Sequence, residues 1–271
     1  MIRDLFLGRV YYDGYEDLED GGPKCASRMT ITFRLIIVTF CVFLHILMYS
    51  FWTKSFSSKL KSYTIPPSLF EKFLGLLQIC VFLLQFLYKF LSHRLIFIIS
   101  PCHITTLLQG IVLLSSSTNF KTKLFLASMV WSSGAFMALV FPSTGLIQWF
   151  GELELFWIQH YTTGLICPLI LALNGRFTKN FDMGFVSILY GYHSMSLYHR
   201  LLLCPLSMMT WANISYMLCA GDQNPAQLVF GNWYLLAGEG YILFIACVFC
   251  GVMYTAAWVK KKIFIEHEKD Y

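Results

Sequence analysis

Seven apolar runs, each near the length needed to cross a bilayer, follow one another along the chain and are separated by short polar stretches. About 20 residues at 1.5 Å each cross the hydrocarbon core. On that template the runs fall near residues 31–52, 69–91, 95–115, 123–142, 152–173, 181–206 and 235–258. The first, second, third and seventh are clear. The fifth and sixth carry polar residues at intervals, the pattern of helices that line a site. The predicted fold is all-α, a polytopic membrane bundle of about seven helices. It divides into a polar tail (1–30), one transmembrane domain (31–258) and a short C-terminal tail (259–271).

Composition agrees. Of the 271 residues 57% are hydrophobic and only 13% charged, against about 25% charged in a soluble domain. The N-terminal stretch opens with Arg3, Asp4 and Arg9, continues as an acidic tract from Asp13 to Asp20, and lacks an apolar signal-peptide core. The first span is therefore expected to direct membrane insertion. The net charge of +5 forms no stripe, so nucleic acid is not an expected partner.

Basic residues set an orientation. Lys54, Lys59 and Lys61, then Lys121 and Lys123, then Arg176 and Lys179, then Lys260, Lys261 and Lys262 all fall on one side of a seven-span arrangement. By the positive-inside rule that side is cytoplasmic. The N-terminus is then lumenal or extracellular and the C-terminus cytoplasmic. Lys24, Arg28, Arg34, Lys89, Arg94 and Arg200 run against the trend, and those near span ends can snorkel. The outer loop 207–234 carries the sequon Asn213-Ile214-Ser215, which would be accessible to glycosylation on that side. The same side exposes Cys25 and Cys219 to oxidation; a disulfide and two free thiols are both open.

Within the third run, Ser100-Pro101-Cys102-His103 places a polar, nucleophile-bearing cluster where hydrocarbon is expected. Counting inward from the non-cytoplasmic face, Cys102 lies about 10 Å deep, His160 on the fifth span about 12 Å and His199 on the sixth about 10 Å. Glu239 on the seventh is slightly shallower. Three separate segments thus deliver a thiol and two imidazoles to one level. An imidazole can deprotonate a thiol, and a carboxylate can orient the imidazole. His103 points about 100° from Cys102 on a regular helix and is a poorer base unless Pro101 distorts the turn.

Packing explanations compete, since membrane cysteines usually fill space and membrane histidines often bridge helices. His45 and His267 are expected to be structural or exposed. Cys247-Val248-Phe249-Cys250 is a lone C-x-x-C in an apolar run, and no H-x-x-x-H spacing occurs, so neither a metal nor another cofactor is expected. H-x-x-x-x-D and G-x-S-x-G, two familiar acyl-transfer signatures, are also missing.

Several pieces in fixed order carry a resemblance: Gly21-Gly22-Pro23 with Cys25, Pro101-Cys102-His103, Phe141-Pro142, Glu152-Leu153-Glu154 through Ile158-Gln159-His160, Tyr198-His199, Met217-Leu218-Cys219, and Gly231 with Trp233-Tyr234. Over roughly residues 21–260 the chain resembles the transmembrane protein 164 family. That resemblance implies a multipass acyltransferase moving a long polyunsaturated acyl chain from a donor phospholipid to a lyso-ether-phospholipid. It also implies an architecture similar to the androgen-induced fatty-acid-ester hydrolases, with Cys102 and His160 in the places of their Thr and His. His103, Glu154, Gln159, Tyr198, His199 and Glu239 would support the base or the headgroup. Gln109 stands where the family pattern has a histidine. The expected partners are phospholipid, lysophospholipid and the bilayer, in the endoplasmic reticulum or another endomembrane. Two alternatives are a lipid-ester hydrolase of the same fold and a lipid-binding receptor or transporter without catalysis.

Overall fold

Apolar runs without internal helix breakers give long helices, and prolines and hydroxyl residues decide where those helices start or change pitch. The computed structural model describes residues 21–57, 64–142, 144, 147, 149–174, 176–177, 184–220 and 229–267. The acidic tract ending at Asp20, and Lys59, Lys61 and Lys179, lie outside the described residues. The helices are α1 (Pro23–Ser27), α2 (Ile31–Ser57), α3 (Leu69–Leu91), α4 (Pro101–Leu114), α5 (Asn119–Val140), α6 (Glu152–Tyr161), α7 (Cys167–Leu173), α8 (Phe185–Leu197), α9 (Cys204–Thr210) and α10 (Tyr234–His267). The protein is an all-α, multi-pass membrane protein. Among the described residues, five stretches are long and apolar enough to cross a membrane: Ile31–Lys54, Leu69–Leu91, Asn119–Val140, Glu152–Leu173 and Gly231–Lys260.

The third and sixth predicted runs are also helical but interrupted. A 3₁₀ turn, Leu95–Ile99, precedes α4, and together they extend about 30 Å. Between α6 and α7, and between α8 and α9, the helix widens into π turns, Thr162–Ile166 and Tyr198–Leu203. The cause is local. Pro168 and Pro205 follow each π turn, and a residue without N–H cannot bond the carbonyl four back. Gly164 sits in the first π turn with its backbone against α5. A Cβ there would lie 2.8 Å from the Phe136 nitrogen, so a larger residue would push the two elements apart.

At one end of the bundle, Arg176 locks three elements. Its Nε donates to Glu71 Oε1 at 2.9 Å, Nη2 to the Val112 carbonyl at 3.1 Å, and Nη1 to the Ser115 carbonyl. Glu71 is held in turn by a capping box with Ser68. The guanidinium lies over Phe177, which stacks on Phe125. Arg176, read from the sequence as a marker of the cytoplasmic side, is thus also a buried structural clamp.

At the opposite end, residues 21–29 are packed against the loop 211–220 rather than trailing as a polar tail. Gly21 pairs with Ala212, at φ +118 with its Cα against the Trp211 carbonyl, where no side chain fits. Cys25 and Cys219 form a disulfide, which settles the open pairing and fits an oxidising compartment on that side.

The sequon is corrected. Asn213 is buried, not presented to solvent. Its Nδ2 donates to the Cys219 carbonyl at 3.0 Å, and its Oδ1 accepts from the Leu218 and Cys219 amides. The side chain braces the disulfide loop from within. Treatment of the expressed protein with an N-glycan endoglycosidase is expected to leave its electrophoretic mobility unchanged. A downward shift abolished by Asn213→Gln would mean that the loop is open when the chain is glycosylated.

Candidate functional site

Pro101 does not kink a continuous helix; it starts one. Ser100 is extended, with ψ 143, and Pro101 takes the first helical position, as the pre-proline restriction and the missing N–H favour. Cys102 therefore occupies the first turn of α4, at its electropositive end, where the Ser100 carbonyl accepts from the His103 and Ile104 N–H groups. It is partly accessible, while His103 beside it is buried. The hydroxyls of Thr105 and Thr106 donate to the Pro101 and Cys102 carbonyls at 2.6 and 2.8 Å. Tyr198 donates to the Ile99 carbonyl at 2.6 Å and packs on Trp131. It thereby holds the turn that presents the thiol.

Two imidazoles flank this turn in different tautomers, as their partners require. Gln159 donates from Nε2 to His103 Nδ1 at 2.8 Å and to Thr106 Oγ1 at 3.0 Å, so His103 carries its proton on Nε2. His160 bonds the Phe156 carbonyl through Nδ1 at 2.7 Å. Its proton is on Nδ1, and Nε2 keeps a lone pair. His103 lies within electrostatic range of His160 and Lys89, and Cys102 within range of Lys89 and Tyr198. Lys89 is steadied by Glu152 at 3.5 Å.

The structure thus gathers Cys102, His103, Gln159 and Tyr198, adds Lys89 and Glu152, and brings His160 within electrostatic range of His103. Glu154 does not join them; it is exposed, because the first turn of α6 points Glu152 inward and Glu154 outward.

His199 and Glu239 belong to a second buried network. Glu239 accepts from Arg200 Nε at 2.7 Å, Ser196 at 2.7 Å and Tyr192 at 3.2 Å, and lies 3.3 Å from His45 Nε2. His45 and His193 share an Nδ1 contact of 2.8 Å. His199 bonds the Met195 carbonyl at 2.8 Å and faces Arg200 and Glu239 electrostatically. Depth counting groups these residues with Cys102; their hydrogen-bond and ion-pair partners instead lie on α2, α8 and the second π turn.

A third group escaped sequence reasoning. Gln78 donates to Gln109 Oε1 at 2.9 Å and Cys167 Sγ at 3.0 Å. Gln109 donates to Ser132 and to the Thr163 carbonyl, and Thr163 meets Thr106 at 2.9 Å. This ladder runs from the Cys102 turn into the core. Two fully buried glutamines in apolar runs were the available signal. No group of three or more His, Cys, Asp or Glu side chains suited to a metal ion occurs among the described residues.

The sequence model of the TMEM164 family matches residues 26–254, nearly the whole transmembrane region. The chain belongs to the TMEM164 family. It is also similar to "Transmembrane protein 164 homolog" of Dictyostelium discoideum, 27% identical over 187 residues, covering 68% of this chain and 66% of that protein. The match thus spans just under two thirds of the relative's length. No solved structure matches.

Within this TMEM164-family bundle, Arg200→Met leaves a buried carboxylate without its strongest partner. The expected loss is about 3–5 kcal/mol, read as a lower Tm in detergent. Adding Glu239→Gln is expected to recover part of it.

Proposed function

We propose that this protein is a membrane acyltransferase that moves a long-chain acyl group from a phospholipid to a lysophospholipid through a thioester on Cys102. One observation carries the reading. A partly accessible thiol stands at the start of a helix, next in sequence to a buried imidazole, His103, which lies within electrostatic range of a second, His160, whose Nε2 holds a lone pair.

In the first half-reaction His160 Nε2 takes the thiol proton as sulfur adds to the ester carbonyl carbon. The developing oxyanion is met by the Cys102 N–H and by the Nε2–H of His103. When the ester C–O bond breaks, the departing lysophospholipid oxygen receives the proton from His160, leaving a thioester. In the second half the same nitrogen removes the proton of an acceptor hydroxyl, the new ester forms, and the thiolate is reprotonated. Gln159 fixes the His103 tautomer and Lys89 adds positive charge near the reacting atoms.

With water as acceptor the same steps give a hydrolase, and the burial of the polar cluster favours transfer. The polyunsaturated ether-lipid substrate and an endoplasmic reticulum or other endomembrane location follow from the family resemblance.

Cys102→Ala is expected to abolish transfer of labelled acyl chains in reconstituted vesicles and to prevent labelling by an acyl-directed electrophile. His160→Ala is expected to lower the rate by about a hundredfold to ten-thousandfold. Full turnover by folded Cys102→Ala would remove the cysteine from the mechanism. Release of free fatty acid in place of acyl transfer, with acceptor present, would make the protein a hydrolase.

A further inference from the structure

Arg34 is one of the basic residues on the side that the positive-inside rule leaves poor in Lys and Arg. It lies one turn into α2 and is only 2% exposed. Two other deeply buried guanidiniums, Arg176 and Arg200, each meet a glutamate. Arg34 meets none among the described residues. Its Nη2 reaches the Met29 carbonyl at 3.5 Å, the outer limit of a hydrogen bond, and its Nε has no partner. A buried cation left in this state calls for an anion.

Room for one adjoins it. A cavity of about 200 Å³ is bounded by Arg34 and by Ala26, Met29, Ile31, Met208, Trp211 and Leu218. Apart from the guanidinium these walls are apolar. At its rim Ile31 is strongly exposed and Trp211 partly so, a combination suited to the headgroup level of a bilayer. The exposed apolar positions Leu35, Ile36 and Phe40 continue from the rim down α2. The cavity falls below the roughly 300–1,000 Å³ of sites that enclose a drug-sized ligand, so it suits a headgroup and not an acyl chain.

We propose that this pocket binds the phosphate of a glycerophospholipid. The guanidinium Nε–H and an Nη–H donate to the phosphate oxygens, and the acyl chains follow the apolar face of α2. Met29 belongs to the same apolar cluster as Ile99 and Tyr198, which flank the Cys102 turn. Arg34 lies about 5 Å below the start of α2, shallower than Cys102, in the order in which phosphate and ester carbonyl occur in a lipid. The identification of this lipid with the reacting substrate rests on the acyl-transfer reading; the phosphate site itself does not.

The full chain, purified in neutral detergent, is incubated with dioleoylphosphatidylcholine, with dioleoylglycerol or with inorganic phosphate, and bound species are measured by native mass spectrometry. Wild type and Cys102→Ala are expected to retain phosphatidylcholine, with dioleoylglycerol and inorganic phosphate held at least about tenfold more weakly. Arg34→Met is expected to lose about tenfold or more in phosphatidylcholine binding, and Arg34→Lys less. Ala26→Leu, which fills the cavity and keeps the charge, covers the case in which Arg34→Met fails to fold and is expected to show the same loss. Unchanged phosphatidylcholine binding in either folded variant overturns the site. Dioleoylglycerol binding equal to that of phosphatidylcholine overturns phosphate recognition, and inorganic phosphate binding as tightly overturns the lipid as its source. Because binding is read without turnover, a wild type that binds lipid normally but transfers nothing counts against the acyl-transfer reading alone.

Discussion

Hydrocarbon offers no hydrogen bonds, so each polar group that this chain carries between its two membrane faces has to be answered by another part of the same chain. That constraint explains why three polar systems, not scattered residues, occupy the bundle. Glu239 gathers Arg200, Ser196, Tyr192 and His45 from α8, α2 and the second π turn. Glu71 and Arg176 tie the opposite end. The Gln78 and Gln109 ladder joins α3, α4, α5 and the first π turn. Each system fixes a relative position of helices that dispersion alone would leave sliding, since lipid tails pack against apolar side chains as well as neighbouring helices do.

The reactive turn depends on this scaffold and not on its own residues alone. Proline at the first helical position gives Cys102 its place at a helix start, Tyr198 fixes the turn before it, and Gln159 sets the tautomer of His103. Gln159 is in turn anchored through Thr106 to Thr163 and the glutamine ladder. The polar core is therefore a positioning device as much as a source of stability. The two π turns serve the same end, because each follows directly on a histidine-bearing helical segment and shifts the register of everything after it.

Much of the architecture was legible because span length and charge asymmetry are strong, one-dimensional signals. The apolar runs are helical over most of their described residues. Depth carries no azimuth, however. Glu239 and His199 are counted to the right level but face α2 and α8, so the sequence placed them in the wrong cluster. Glu154 was chosen over Glu152 for a related reason, since two residues in one helical turn point to different sides. Pro101 was read as a kink inside a helix because the extended Ser100 and the 3₁₀ turn before it leave the hydropathy pattern unbroken. The sequon at Asn213 failed as a marker because a three-residue motif says nothing about what the asparagine side chain bonds to.

The link between Cys25 and Cys219 closes a covalent ring of nearly two hundred residues through the membrane. Cys219 leaves the ribosome only after six of the seven apolar runs have been made, and it meets Cys25 only if both have been delivered to the same compartment. Completion of the ring thus reports that the segments between the two cysteines cross the membrane an even number of times. A chain with one run skipped would strand its two sulfurs on opposite faces of the bilayer, and ordinary thiol oxidation would then distinguish a properly threaded molecule from a misthreaded one.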